Sequence, residues 1–217
     1  MEKEEEYLRQ FDRVKIDILY KLIDHTPFTG WSNETLKFCL DEAGILDSLE
    51  ELFSNGIDDL TDLYISIADK KLEYDVKELD LNSKSIRERI KILLNLRLDF
   101  FESEKQVIKQ IIGSDLITGP RLRSINRIGK SVDLIWRLAG DKSLDYNFYT
   151  KRIILSGVYV STILFWLDVD SRDDVSHFID RRISNVMQIE KIKKNINSML
   201  KIKKFNFPLN SFFKNKI

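Results

Sequence analysis

Ile153-Ile-Leu-Ser-Gly-Val-Tyr-Val-Ser-Thr-Ile-Leu-Phe-Trp-Leu167 is the longest stretch of this chain without a charge. Drawn as a helix, it is apolar all round its circumference, so it reads as buried on every side with other helices packed about it. Fifteen residues fall short of the roughly 20 needed to cross a bilayer, which points to a core helix of a soluble or peripheral protein. Gly157, Ser156 and Ser161 leave room along it for a subunit interface or for an apolar ligand. The pattern itself does not choose between the two.

Working outward, the rest of the chain also reads as helix. Only 8 Gly and 3 Pro punctuate 217 residues, too few breakers for a strand-rich sandwich. Leu8, Phe11, Ile18, Leu19 and Leu22 place a first helix over roughly 4–24, and Pro27 and Gly30 in His25-Thr-Pro-Phe-Thr-Gly-Trp31 should end it. Ser32 or Asn33 caps a second helix ending near Gly44, and a short third fits 47–53 before Asn55-Gly56. A fourth begins at Ile57 and frays over 70–82. The next covers 83–101, opening with the capping-box spacing of Ser85-Ile-Arg-Glu88. Further helices are expected over 105–112, closed by Gly113, then from Gly119-Pro120 to Leu138, over 145–167 and over 173–200.

Charge is unevenly spread. Residues 1–102 hold 24 acids and 14 bases, whereas 103–217 hold 11 acids and 21 bases, so contacts with a membrane or a nucleic acid belong to the second half. The first three helices have the lengths of a helix-turn-helix head, yet 43–60 contain Asp47, Glu50, Glu51, Asp58 and Asp59 with no Lys or Arg. Phosphate neutralisation needs bases, so no nucleic-acid partner is expected.

At the far end, Ile192, Ile196, Met199 and Leu200 form an apolar stripe flanked by Lys193, Lys194 and Lys201, and no acid follows residue 190. Such a helix suits an anionic membrane surface, the bland alternative being an ordinary packing helix with a basic tail.

The catalytic inventory is empty. His25 and His177 are far apart in sequence, Glu-x-x-His pairs for a carboxylate di-iron site are missing, and Cys39 sits between Phe38 and Leu40 as an inert buried thiol would. No phosphate-cradling glycine motif or nucleophile elbow occurs. The reading is a non-enzyme without cofactor or metal. The acidic start, Met1-Glu-Lys-Glu-Glu-Glu6, resembles neither a secretory signal nor a transit peptide.

Several motifs in order resemble one family. His25-Thr-Pro-Phe-Thr-Gly-Trp31, Ile135-Trp-Arg-Leu-Ala-Gly-Asp141, Asp145-Tyr-Asn-Phe-Tyr-Thr-Lys-Arg152, Leu164-Phe-Trp-Leu-Asp168 and Phe178-Ile-Asp-Arg-Arg-Ile-Ser-Asn-Val-Met187 are similar to segments of the Coq-nine proteins of ubiquinone biosynthesis. The resemblance covers roughly 10–190. It implies an all-α, TetR-like bundle that forms a homodimer: a degenerate head over 1–56, a lipid-binding and dimerising body over 57–187, and a basic amphipathic end over 188–217. It further implies a non-catalytic accessory role, in which isoprenoid quinone precursors or phospholipid are bound and presented to the demethoxyubiquinone hydroxylase, a di-iron enzyme.

Within that frame Ile154, Val158, Tyr159 and Phe165 are the candidate lipid-binding residues. Trp136 matches the aromatic of the hydroxylase-docking patch, with Asp133 one turn earlier and Arg137 beside it. Arg137 departs from the tyrosine usual there, and Phe148 stands where tryptophan is more common. Asp141, Asp145, Lys151 and Arg152 suit a cap and brace at the junction between two helices. Lysine- and isoleucine-rich usage suggests an AT-rich bacterial genome, placing the protein in the cytoplasm against the inner membrane. The competing reading is a TetR-like transcription regulator that responds to an apolar ligand.

Overall fold

In the computed structural model, which describes residues 6–118, 122–142 and 146–185, helix is the only regular structure among the described residues. The chain divides into two compact units, Met1–Ile179 and Asp180–Ile217. In the larger unit a 3-10 turn at Glu6–Leu8 precedes α1 (Arg13–Thr29), α2 (Asn33–Glu42) and the four-residue α3 (Leu49–Leu52). Then come α4 (Ile57–Val76), α5 (Ile86–Phe100), α6 (Lys105–Thr118), α7 (Leu122–Leu138) and α8 (Tyr146–Asp168). Residues 172–185 are also helical.

Helix α1 begins later than its apolar spacing suggested, because Asp12 caps it, accepting from the backbone N–H of Val14 at 2.8 Å and Lys15 at 3.3 Å. It also runs through Pro27, against expectation. Proline deletes one N–H bond near the end of the helix. The final turn is held instead by Thr26 Oγ1 donating to Leu22 O (2.6 Å) and Thr29 Oγ1 to His25 O (3.0 Å). Gly30, at φ 87°, ends it. Gln110 of α6 bridges this end: its Nε2 donates to Thr26 O (3.0 Å) and its Oε1 accepts from Trp31 N (2.8 Å). Trp31 is buried, with Nε1 donating to Thr61 Oγ1 at 2.9 Å. The motif around Pro27 is therefore a joint that locks α1, α4 and α6 together.

Ser32 caps α2, and Asn33 serves α4: Asn33 Oδ1 accepts from Ile57 N at 2.8 Å. Gly56 makes that approach possible. A Cβ there would sit 2.2 Å from Asn33 Oδ1, and its φ of 59° favours glycine. The short third helix expected over 47–53 is present one residue earlier, as a 3-10 turn at Leu46–Ser48 that runs directly into one turn of α-helix at Leu49–Leu52.

Helix α4 does not fray at residue 70. Ile67, Ala68 and Leu72 keep it in the core, and Lys70–Glu73 and Lys71–Asp75 pair along its outer side. Nor does Gly113 end α6, since the cost of one glycine, about 1 kcal/mol, is outweighed by burial of Val107, Ile108 and Ile111. The capping box that opens α5 forms as expected, Ser85 N donating to Glu88 Oε2 at 2.9 Å and Glu88 N to Ser85 Oγ at 3.3 Å.

The expectation that 153–167 is buried on every side does not hold. Leu155, Val158, Tyr159, Thr162 and Trp166 face the core, but Ile153 is 73% exposed and Leu164 45%. By length and composition Phe148–Asp168 is also long enough to cross a membrane. In this fold it is instead a wall, with α7 against one face and open surface along the other.

Candidate functional site: an apolar cavity with a polar inner wall

Helices α4, α6, α7 and α8 do not close completely on one another. Between them lies an apolar cavity of about 370 Å³, within the range of about 300–1,000 Å³ typical of small-molecule sites. Ile65 of α4, Ile108 and Ile111 of α6, Ile128 of α7 and Ile163 of α8 supply much of the lining. Two further lining residues, Ile125 (55% exposed) and Leu164, reach the surface and mark a mouth between α7 and α8. Leu122 and Ile153, both strongly exposed, extend this apolar surface on α7 and α8. Helix α7 suits the position because Leu122, Ile125, Ile128, Val132 and Ile135 recur at helical spacing on one side of it.

The rim is ionic. Arg127 of α7 pairs with Asp58 (2.7 Å) and Asp62 of α4, and Arg123 pairs with Asp59 and Asp62. Burial opposes the Asp59 charge, but the Asn55 backbone N–H, donating at 2.8 Å, and Arg123 outweigh it and hold the carboxyl below its ordinary value. Carboxylates in the first turns of α4 thus fasten α7 to it.

Deeper in, the wall turns polar. Arg97 of α5 is fully buried, with Nη1 2.6 Å from Asp69 Oδ1. Its Nη2 donates to Ser131 Oγ (3.0 Å) and Nε to the Tyr159 hydroxyl (3.3 Å), while Ser131 Oγ donates to Asp69 Oδ1 (3.0 Å). Phe101 covers the guanidinium, its ring centre 5.2 Å away. Burial disfavours the Arg97 charge, yet Tyr159 and Asp69 more than offset it. For Asp69 burial prevails, pushing its carboxyl above the ordinary value against the pull of Arg97 and Ser131.

Of the candidate lipid-binding residues, Tyr159 lines this cavity. Val158 is buried elsewhere on α8, Ile154 is half-buried, and Phe165 stacks on Phe178 with ring centres 4.2 Å apart; none of the three is among the lining residues. Most of the cavity comes from α6 and α7, where sequence reading had sought no ligand. Arg97 carried a legible signal: it continues the core phase of Ile90, Leu93 and Leu94.

The candidate docking residues cluster at the α7–α8 junction. Asp133 Oδ2 accepts from Arg137 Nε (3.0 Å) and Oδ1 from Arg152 Nε (2.7 Å). Asp141 accepts from Lys151 (2.7 Å) and Arg152 (3.3 Å). Trp136 is half-buried, its Nε1 donating to Lys151 O at 3.0 Å, so it braces the junction. Arg137 is the exposed member. The candidate membrane residues Ile192, Lys193, Lys194, Ile196, Met199, Leu200 and Lys201 lie outside the described residues.

The COQ9 family profile matches residues 122–190, spanning α7, the junction, α8 and the helix that follows. A relative from Dictyostelium discoideum, a probable ubiquinone biosynthesis protein coq9, mitochondrial, is 32% identical over 202 residues, covering 84% of this chain. This is a COQ9-family chain. The Rattus norvegicus ubiquinone biosynthesis protein COQ9, mitochondrial, is 22% identical over 210 residues, covering 91% of the chain. The COQ9-family chain spans 62% of the length of the Dictyostelium protein and 66% of the rat protein. A TetR transcriptional regulator from Nitrosomonas europaea shares the fold of the COQ9-family chain, with a TM-score of 0.64 at 19% identity, covering 80% of this chain and 97% of that one.

One expectation is overturned here. A place on the cytoplasmic face of a bacterial inner membrane conflicts with relatives that are mitochondrial by name. Lysine and isoleucine usage follows the base composition of a genome, which says nothing of compartment.

Proposed function

We propose that this protein is a non-catalytic accessory factor of ubiquinone biosynthesis that binds an isoprenoid quinone precursor in the cavity and presents it to the demethoxyubiquinone hydroxylase. The observation that carries the reading is the apolar cavity of about 370 Å³, with its mouth between Ile125 and Leu164. A ligand held there gains about 25 cal/mol for each Å² of its apolar surface removed from water. The names of the relatives supply the pathway. The exposed apolar strip of Leu122, Ile125, Ile153 and Leu164 offers a tail leaving the mouth a route to a bilayer or to a second copy of the chain. Residues 192–201 are the proposed membrane contact, and Asp133, Trp136 and Arg137 the proposed docking patch.

DNA binding is not part of the proposal, because α3 is a single turn carrying Glu50 and Glu51, and Asp58 and Asp59 are committed to arginines.

The test is mass spectrometry of lipid extracted from the purified protein and from Ile128→Trp, which fills the cavity. Isoprenoid quinones or their precursors are expected with the wild type and are expected to be lost in the variant. A folded wild type that carries no lipid and takes up none from quinone-loaded vesicles refutes the reading.

A further inference from the structure

We propose that the inner end of the cavity selects ligands by a neutral, hydrogen-bond-accepting oxygen, a carbonyl or an ether, received by the Tyr159 hydroxyl, so that the ligand lies head inward with its tail toward the mouth. This deepens the functional reading above and rests on it.

Arg97 is a donor only, and it commits Nε to Tyr159, Nη2 to Ser131 and Nη1 to Asp69. Ser131 spends its single hydrogen on Asp69. The Tyr159 oxygen accepts from Arg97 at 3.3 Å, which leaves the hydrogen of its own hydroxyl to be placed, and no described residue accepts it. Tyr159 is nonetheless 4% exposed and lines the cavity. A buried phenol that accepts from a guanidinium is polarised toward donating, and buried donors seek acceptors. Ser124 repeats the pattern on α7: it lines the same cavity at 8% exposure, and its hydroxyl has no partner. Two hydroxyls thus face a space lined mostly by apolar side chains, with Arg127 and Asp115 its charged lining residues.

Charge decides what kind of acceptor fits. The Arg97–Asp69 pair is balanced at 2.6 Å. A carboxylate or phosphate pushed against it adds an uncompensated negative charge in a water-poor site, beside the half-buried Asp69. A cation at this inner end meets the Arg97 guanidinium and the hydroxyl hydrogen of Tyr159. A neutral oxygen takes the free hydrogen of Tyr159 and disturbs nothing.

The network also ties α4, α5, α7 and α8 together, so the test needs a readout that a purely structural tyrosine would leave unmoved. The full chain and Tyr159→Phe are each titrated with three probes of matched tail: a 1,4-benzoquinone with a ten-carbon chain, the corresponding alkylbenzene, and a fatty acid anion. Melting curves establish that both proteins are folded. The wild type should prefer the quinone to the alkylbenzene about tenfold, one well-made hydrogen bond's worth, and bind the fatty acid most weakly. Tyr159→Phe should bind the two neutral probes alike, and Ser124→Ala should narrow the preference in part. Equal binding of the neutral probes by the wild type overturns the proposal, as does an unchanged preference in Tyr159→Phe or tightest binding of the anion. The alkylbenzene separates the two readings: if it binds and is blocked by Ile128→Trp, the cavity stands whatever becomes of Tyr159. If no probe binds, both readings fall.

Discussion

Replacing Arg97 by methionine is the most searching perturbation of this fold. The substitution keeps most of the aliphatic stem and removes a charge that is fully buried. It leaves Asp69 without the guanidinium 2.6 Å away, Ser131 and Tyr159 without the N–H groups they accept, and Phe101 without its cation. Breaking one partner of a buried pair costs about 3–5 kcal/mol, because the remaining charge stays desolvated. For a chain of this length that is roughly a 10 °C fall in Tm, and a large share of a typical total stability of about 5–15 kcal/mol. Removing both charges, Arg97→Met with Asp69→Leu, should recover most of the loss, since a buried pair and an apolar replacement of similar volume are nearly equivalent.

Acid supplies a second arm of the same experiment. Burial already raises the Asp69 carboxyl above its ordinary 3.8, and loss of Arg97 removes the main force opposing that rise. A carboxyl whose folded pKa lies above its unfolded one takes up its proton first in the folded state, so stability increases as pH falls toward 3.8. Arg97→Met should therefore regain part of its deficit at mildly acidic pH. Urea denaturation followed by circular dichroism, on the wild type, both single variants and the double, reads all of this. A single variant costing under about 1 kcal/mol, or a double variant no more stable than Arg97→Met, refutes the reasoning.

The rim clasp makes the opposite acid prediction. Asp59 is held below its ordinary 3.8, so its contribution is present above that pH and is lost as pH falls through the lower folded value. Acid unfolding of Arg123→Gln should begin at higher pH than in the wild type; identical midpoints would show the clasp to be energetically idle. At the proposed docking patch, Arg137→Glu should abolish capture of the hydroxylase in a pull-down. It should shift Tm by no more than a few degrees, because an exposed pair with Asp133 is worth at most about 1 kcal/mol. Undiminished capture would remove Arg137 from the interface.

What the amino-acid order determined by itself was local. The scarcity of Gly and Pro, the caps at Ser32 and Ser85, and the apolar spacing of each segment settled an all-helical chain, because these are interactions between residues a turn or two apart. The motifs from Ile135 to Asp141 and from Asp145 to Arg152 were equally legible as a resemblance, since they form one sequence-local joint, although spacing alone did not reveal that Trp136 braces it through Lys151. Helix ends were misjudged wherever a partner from far along the chain overruled a local breaker. Gln110 bridges the end of α1 beyond Pro27, core burial carries α4 past residue 70, and α6 continues past Gly113.

The cavity belongs wholly to tertiary structure. It is space that four helices fail to fill, and no single helix carries the record of that failure. Its walls on α6 and α7 look in sequence like any core face, and the open side of 153–167 looks like the buried one. The proton left over on Tyr159 becomes visible only once Arg97, Asp69 and Ser131, drawn from three other helices, are seen to have used theirs.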